Sequence, residues 1–224
     1  MSIMIIAGID EAGRGPCFGP MTLAITSFEK NQEDELKEIG VKDSKDLSVK
    51  KRDYLFDEVK KRVFEAHVIS VDSVELNDMM AKDNLNEIEA IKVAELINRL
   101  KKQIDIVYID SPDVTKGKYE GRIRKYLDED KQKVKIIAEN KADSKYVVVG
   151  ASSILAKVTR DRDLQKIKDV YGDFGSGYPA DPKTKKYLAE YVQKNKKLPP
   201  FSRIFWKTCT RALEEIETKQ EKLF

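Results

Sequence analysis

A short apolar run, Ile3-Met4-Ile5-Ile6-Ala7, leads straight into Gly8-Ile9-Asp10-Glu11-Ala12-Gly13-Arg14-Gly15-Pro16. The run is too brief for a helix and is bounded by glycine, so it predicts a buried strand ending on two adjacent carboxylates. Adjacent acids at the end of a buried strand repel each other and lose hydration, which is tolerated mainly where a cation sits between them or water reaches both. Gly13 and Gly15, around Arg14, then let bare backbone approach a ligand closely. Acids able to hold a divalent metal, beside a turn able to touch a sugar or phosphate, point to phosphoryl chemistry. Two other glycine signatures fail here. Gly8 to Gly13 has the spacing of a phosphate-cradling loop, but Arg14-Gly15 stands where that loop needs Lys followed by Ser or Thr. The dinucleotide fingerprint fails because Gly19 comes one position late and Pro16 intervenes. Read alone, the stretch is explained equally well as an acidic strand end followed by an ordinary turn.

The remaining chain is long enough to bury that strand. With 224 residues, 41% hydrophobic and 36% charged, it can form one full core with a small appendage. No apolar run reaches the length of a membrane span and the start lacks a secretory signal, so a cytoplasmic protein with no membrane partner is expected. Cys17 and Cys209 make no metal-binding pattern, which suits a reducing compartment and argues against a structural disulfide. His67, the single histidine, sits in the alternating run Phe64 to Ile69 and reads as a strand residue; its isolation argues against triads and histidine-rich zinc sites. A net charge of +3 does not by itself announce nucleic acid. Acids gathered in one site, however, leave the rest of the surface more basic than the total, as a polyanion binder requires.

Met21 to Phe28 alternates and predicts a second strand antiparallel to the first. Ser48 caps a predicted helix to about Arg62, a third strand spans about Val63 to Val71, and Asn84 caps an amphipathic helix to Leu100. Ile104 to Ile109 then forms a strand ending in Asp110-Ser111-Pro112, the second apolar run to end on a carboxylate. Strand, crossover helix and strand imply parallel pairing, and ligand sites in such sheets gather at the carboxyl ends of adjacent strands. Asp110 is therefore expected beside Asp10. After a polar helix around Tyr119 to Leu127, a fifth strand at Val134 to Ile137 precedes Asp143, at the mouth of a helix beginning near Ser144. Locally, Asp143 reads as an acid satisfying free amides at a helix start. Successive strand residues face opposite ways, so Asp10 and Glu11 are expected to share a site through a bend in the strand. The loop Gly175 to Pro182 presents Tyr178, suited to lie against a sugar or base.

The order of these motifs resembles ribonuclease HII, the type 2 ribonuclease H, in its archaeal form. The likeness rests on Gly8 to Pro16, Asp43-Ser44-Lys45, Asp110-Ser111, Lys141-Ala142-Asp143-Ser144-Lys145-Tyr146, Ala151 to Lys157 and Gly175-Ser176-Gly177-Tyr178-Pro179. It implies an α/β ribonuclease H-like fold, a mixed five-stranded central sheet flanked by helices, with residues 1–190 as catalytic domain and 191–224 as a helical region packed on it. It also implies cleavage of the RNA strand of RNA-DNA hybrids and at ribonucleotides embedded in duplex DNA. Asp10, Glu11, Asp110 and Asp143 are the implied ligands of two Mg²⁺ or Mn²⁺ ions, with Asp10 bridging them. Asp143 would hold the ion that activates water, and Glu11 with Asp110 the ion at the leaving group. Gly13, Arg14, Gly15 and Tyr178 are the implied readers of the ribose 2′-hydroxyl, and Lys45, Lys145 and Ser153 are expected phosphate contacts. A monomer is expected, and the tail Gln220 to Phe224 faintly resembles a sliding-clamp peptide. Another two-metal nuclease and a noncatalytic hybrid-binding module on the same fold are the alternatives; the latter is expected to lack one or more of the four acids.

Overall fold

The computed structural model describes residues 3–41, 47–112 and 117–221, with side chains to 215. The chain forms two compact units, each assembled from separate stretches. One comprises Met1–Ala12, Thr22–Ser70 and Asn84–Thr159; the other comprises Gly13–Met21, Val71–Asp83 and Arg160–Phe224.

A five-stranded sheet organises the first unit. Its strands are β1 (Ile5–Ala12), β2 (Met21–Glu29), β3 (Glu65–Val71), β4 (Ile106–Asp110) and β5 (Lys135–Glu139), in the order β3-β2-β1-β4-β5. β1 runs antiparallel to β2 and parallel to β4, and β4 runs parallel to β5. β2 is buried at all but its last residue, so both of its faces are covered. The helices are α1 (Glu33–Glu38), α2 (Val49–Arg62), α4 (Leu85–Asn98), α5 (Lys118–Arg124), α6 (Ala142–Lys145) and the first part of α7 (Val147–Tyr171), with α3 (Ser73–Met80) in the other unit. Ser48 and Asn84 cap α2 and α4 as expected, each side-chain oxygen accepting a backbone N–H of the first turn. Leu55 and Val59 of α2 join Val148, Ile154 and Leu155 of α7 in the core. A buried hydroxyl network ties α7 to the sheet: Ser152 Oγ donates to Gly8 O at 2.7 Å and lies 3.0 Å from Thr26 Oγ.

Three local expectations need correction. β1 does not end on its acids and has no bulge there: its ladder to β2 continues unbroken from Ile5 to Ala12. The helix expected from Ser144 is two helices, parted where Tyr146 adopts extended backbone (φ −115°, ψ 119°). α3 was not anticipated; Asp72 caps it by accepting the Val74 and Glu75 amides.

The second unit contains α3, the end of α7, α8 (Pro182–Asn195) and α9 (Lys207–Glu221). Its core gathers Phe18, Phe174 and Phe201, with Phe18 edge-on to both other rings at centroid distances of 5.6 and 5.2 Å. Cys17 and Cys209 are buried there as free thiols.

Candidate active site

Parallel register brings the acids together. Ile9 pairs with Ile109, so Asp10 and Asp110 follow on neighbouring strands at their carboxyl ends. Ligand oxygens of Asp10, Glu11 and Asp110 all lie within 4.8 Å of one another. Two side-chain arrangements contribute to this. Asp10 Oδ1 folds back to accept the Glu11 amide at 2.8 Å, and the extra methylene of Glu11 lengthens its reach. Asp110 Oδ1 accepts the Ala142 N–H at 2.8 Å, joining the end of β4 to the start of α6.

That junction also places Asp143. Lys141 takes the left-handed conformation (φ 58°) as the chain leaves β5, Asn140 Nδ2 donates to Ser111 O at 2.9 Å, and Tyr146 stacks on Tyr108 of β4 at 4.1 Å. Asp143 is 5% exposed, like Asp10. It stands outside the 4.8 Å trio among the described residues, yet its charge reaches Asp10. Burial pushes the Asp10 carboxyl up to about 7; a Ser153 hydrogen bond and the Glu11 amide oppose the rise, and repulsion from Asp110 and Asp143 adds to it. Oxygen donors alone, several of them acidic, are the donor chemistry that hard divalent cations such as Mg²⁺ and Mn²⁺ take. Asp10, Glu11 and Asp110 therefore fit such an ion, with Asp143 close enough to share its field.

The two expected phosphate contacts among the described residues have partners of their own. Ser153 is buried and bonds Asp10, and Lys145 Nζ donates to Glu139 Oε2 at 2.7 Å. Lys45 lies outside the described residues, as do residues 222–224 of the tail.

In the second unit, Gly13 needs its positive φ of 83°, and a Cβ there would lie 2.0 Å from Arg160 Nε. Gly15 is exposed, with the Tyr178 ring 3.5 Å from where its Cβ would be. Tyr178 is 43% exposed, and the Arg160 guanidinium lies 5.7 Å from its ring centroid. Sequence reasoning missed what holds this loop. Arg203 is wholly buried and donates to Gly13 O (2.6 Å), Arg14 O (3.1 Å) and Gly19 O (2.9 Å), and Trp206 Nε1 donates to Gly15 O at 3.2 Å. The available signal was a single arginine among the apolar residues Phe201, Ile204, Phe205 and Trp206.

Known proteins resemble this chain over nearly its whole length. A family model described as ribonuclease HII matches residues 7–209. A ribonuclease HII of Methanocaldococcus jannaschii is 44% identical over 98% of this chain and 99% of its own length. The crystal structure of the ribonuclease H2 from Pyrococcus horikoshii superposes with a TM-score of 0.88 at 39% identity, covering 96% of this chain and 99% of that one. A ribonuclease HII of Archaeoglobus fulgidus, solved in complex with PCNA, gives 0.83 at 39% identity, covering 92% and 96%. The sheet and its flanking helices are thus a ribonuclease H-like fold, and the molecule is an endonuclease of the ribonuclease H class. Within that class, the chain belongs to the ribonuclease HII family.

Proposed function

We propose that this enzyme hydrolyses the RNA strand of RNA-DNA hybrids and cuts at ribonucleotides embedded in duplex DNA, leaving 5′-phosphate and 3′-hydroxyl ends. The convergence of Asp10, Glu11 and Asp110 at the ends of adjacent parallel strands carries this reading. These acids and Asp143 would hold two Mg²⁺ or Mn²⁺ ions. When bound, such ions neutralise charge at phosphorus and lower the pKa of a bound water. The chain's own part is to hold its ligands still: Ser153 and the Glu11 amide fix the Asp10 carboxylate, and the Ala142 amide fixes Asp110. Gly13, Arg14, Gly15 and Tyr178 read the ribose 2′-hydroxyl, the group that separates RNA from DNA at a given position. Lys45 and Lys145 contact phosphate, Lys145 by exchanging its Glu139 partner. The protein acts as a cytoplasmic monomer. Its tail meets a sliding clamp; the PCNA complex of the A. fulgidus relative supports that partner, and a clamp pull-down tests it.

The decisive assay uses a duplex with one embedded ribonucleotide, incubated with Mg²⁺, Mn²⁺ or chelator. Native protein is expected to cut it with either metal, and Asp10→Asn or chelation to abolish cutting. Cleavage of an all-DNA duplex at a comparable rate would instead indicate a different two-metal nuclease. Tyr178→Ala is expected to weaken cleavage at the lone ribonucleotide more than Lys45→Ala does; equal losses on lone-ribonucleotide and hybrid substrates count against the role of Tyr178.

A further inference from the structure

Arg203 carries a charge with no carboxylate partner among the described residues: its three side-chain bonds all go to backbone carbonyls. Its guanidinium is entirely buried. Burial, with a smaller contribution from the neighbouring Arg160 charge, pulls its pKa down to about 9. An apolar side chain of similar volume would fill this space without that penalty, so the arrangement is costly unless the geometry it imposes is needed. Each carbonyl it binds belongs to the glycine turn or the residues just after it.

The peptide plane converts this into an orientation. All peptide bonds in the described chain are trans, and in a trans peptide the N–H of one residue points opposite to the C=O of the residue before it. Drawing Gly13 O onto Arg203 therefore turns the Arg14 N–H away from the guanidinium, and drawing Arg14 O turns away the Gly15 N–H. Trp206 Nε1 holds the next carbonyl, that of Gly15, and Pro16 then offers no N–H. Backbone bonds complete the clamp: Arg203 N donates to Cys17 O, and Gly19 N to Phe201 O, both at 2.9 Å. Gly15 is exposed and the Tyr178 ring lies beside it, so the turn and the ring adjoin.

We propose that Arg203, aided by Trp206, is a positioning residue for ribose recognition: it pulls the carbonyls of the glycine turn inward and so aims the Arg14 and Gly15 amides at the sugar. This rests on the reading that Gly13 to Gly15 and Tyr178 contact the ribose. Arg203 touches no substrate itself. A lysine at 203 keeps the charge but cannot reproduce the planar fork that serves three acceptors at once.

Equilibrium binding tests this on the full chain carrying Asp10→Asn, so that duplexes are bound without being cut. The quantity read is the ratio of affinities for a duplex with one ribonucleotide and the same duplex in all-deoxy form. Adding Arg203→Lys is expected to lower that ratio by on the order of tenfold, while affinity for the all-deoxy duplex changes by less than about twofold. Trp206→Phe, which loses a single donor and keeps a ring, is expected to lower it by about threefold. A folded Arg203→Lys protein with the parent ratio, whatever its melting temperature, overturns the proposal. Should that variant not fold, an unchanged ratio in Trp206→Phe does so. A parent protein with no ribose preference overturns the ribose reading and this inference together, a result distinct from a preference that survives the substitutions.

Discussion

Asp10 holds its negative charge at a cost. The unfolded chain ionises it near the ordinary value of 3.8, whereas burial, with repulsion from Asp110 and Asp143, raises the folded value to about 7. Between these values the metal-free fold keeps a proton that the unfolded chain has released. This group therefore opposes folding most above pH 7, and the opposition fades as pH falls through 7 toward 4. Asp10→Asn removes the charge, so the metal-free variant should be more stable than the parent at pH 8 by roughly 1–3 kcal/mol in urea titrations. The difference should shrink at pH 5, and a less stable variant at pH 8 would contradict the assignment. A bound cation must displace the same proton. Mg²⁺ affinity is accordingly expected to fall as pH drops from 8 to 6, with proton release visible by calorimetry in buffers of different ionisation enthalpy.

The central element contact is α7 against β1. A Cβ on Gly8 would lie 2.4 Å from the carbonyl carbon and oxygen of Val148 and 2.5 Å from Val149 N. These are helix backbone atoms, which cannot swing aside as a side chain does. Gly8→Ala should therefore lift α7 from the sheet and destabilise the protein by about 3 kcal/mol, seen as a lower urea midpoint. Little of this was legible in the sequence, where Gly8 only opened the acidic motif. The parallel strands that carry Asp10 and Asp110 were legible, because apolar runs leading to a carboxylate, separated by a crossover helix, imply parallel neighbours, although β1 runs on past its acids to Ala12. The Ser48 and Asn84 caps were legible because each bond is local. The break at Tyr146 and the helix α3 were not. One depends on a tyrosine stacking on Tyr108, far away in the chain, and the other spans only eight residues, too few to establish a period. Arg203 stood out among apolar neighbours, but its role was not legible because the carbonyls it holds lie some 190 positions earlier.

At the scale of the whole molecule, charge placement matters more than its sum. The chain carries 42 Lys and Arg against 39 Asp and Glu, and two divalent cations on the acid cluster would add four positive charges to the net of +3. Arg160 and Arg203 contribute buried positive charge beside the glycine turn. Duplex binding should then be driven by release of counterions from phosphates and weaken steeply with salt. A footprint of about four phosphates predicts a loss of roughly 10²-fold in affinity between about 50 and 200 mM salt. Chelation leaves Asp10, Glu11 and Asp110 as bare negative charge facing the polyanion, so the metal-free protein should bind more weakly, with the largest deficit at low salt, where screening is least. Fluorescence anisotropy with the Asp110→Asn protein, with and without Mg²⁺, separates these contributions: removing one acid should reduce the chelation deficit. Binding that is independent of salt would mean that apolar contacts, rather than phosphate charge, hold the duplex.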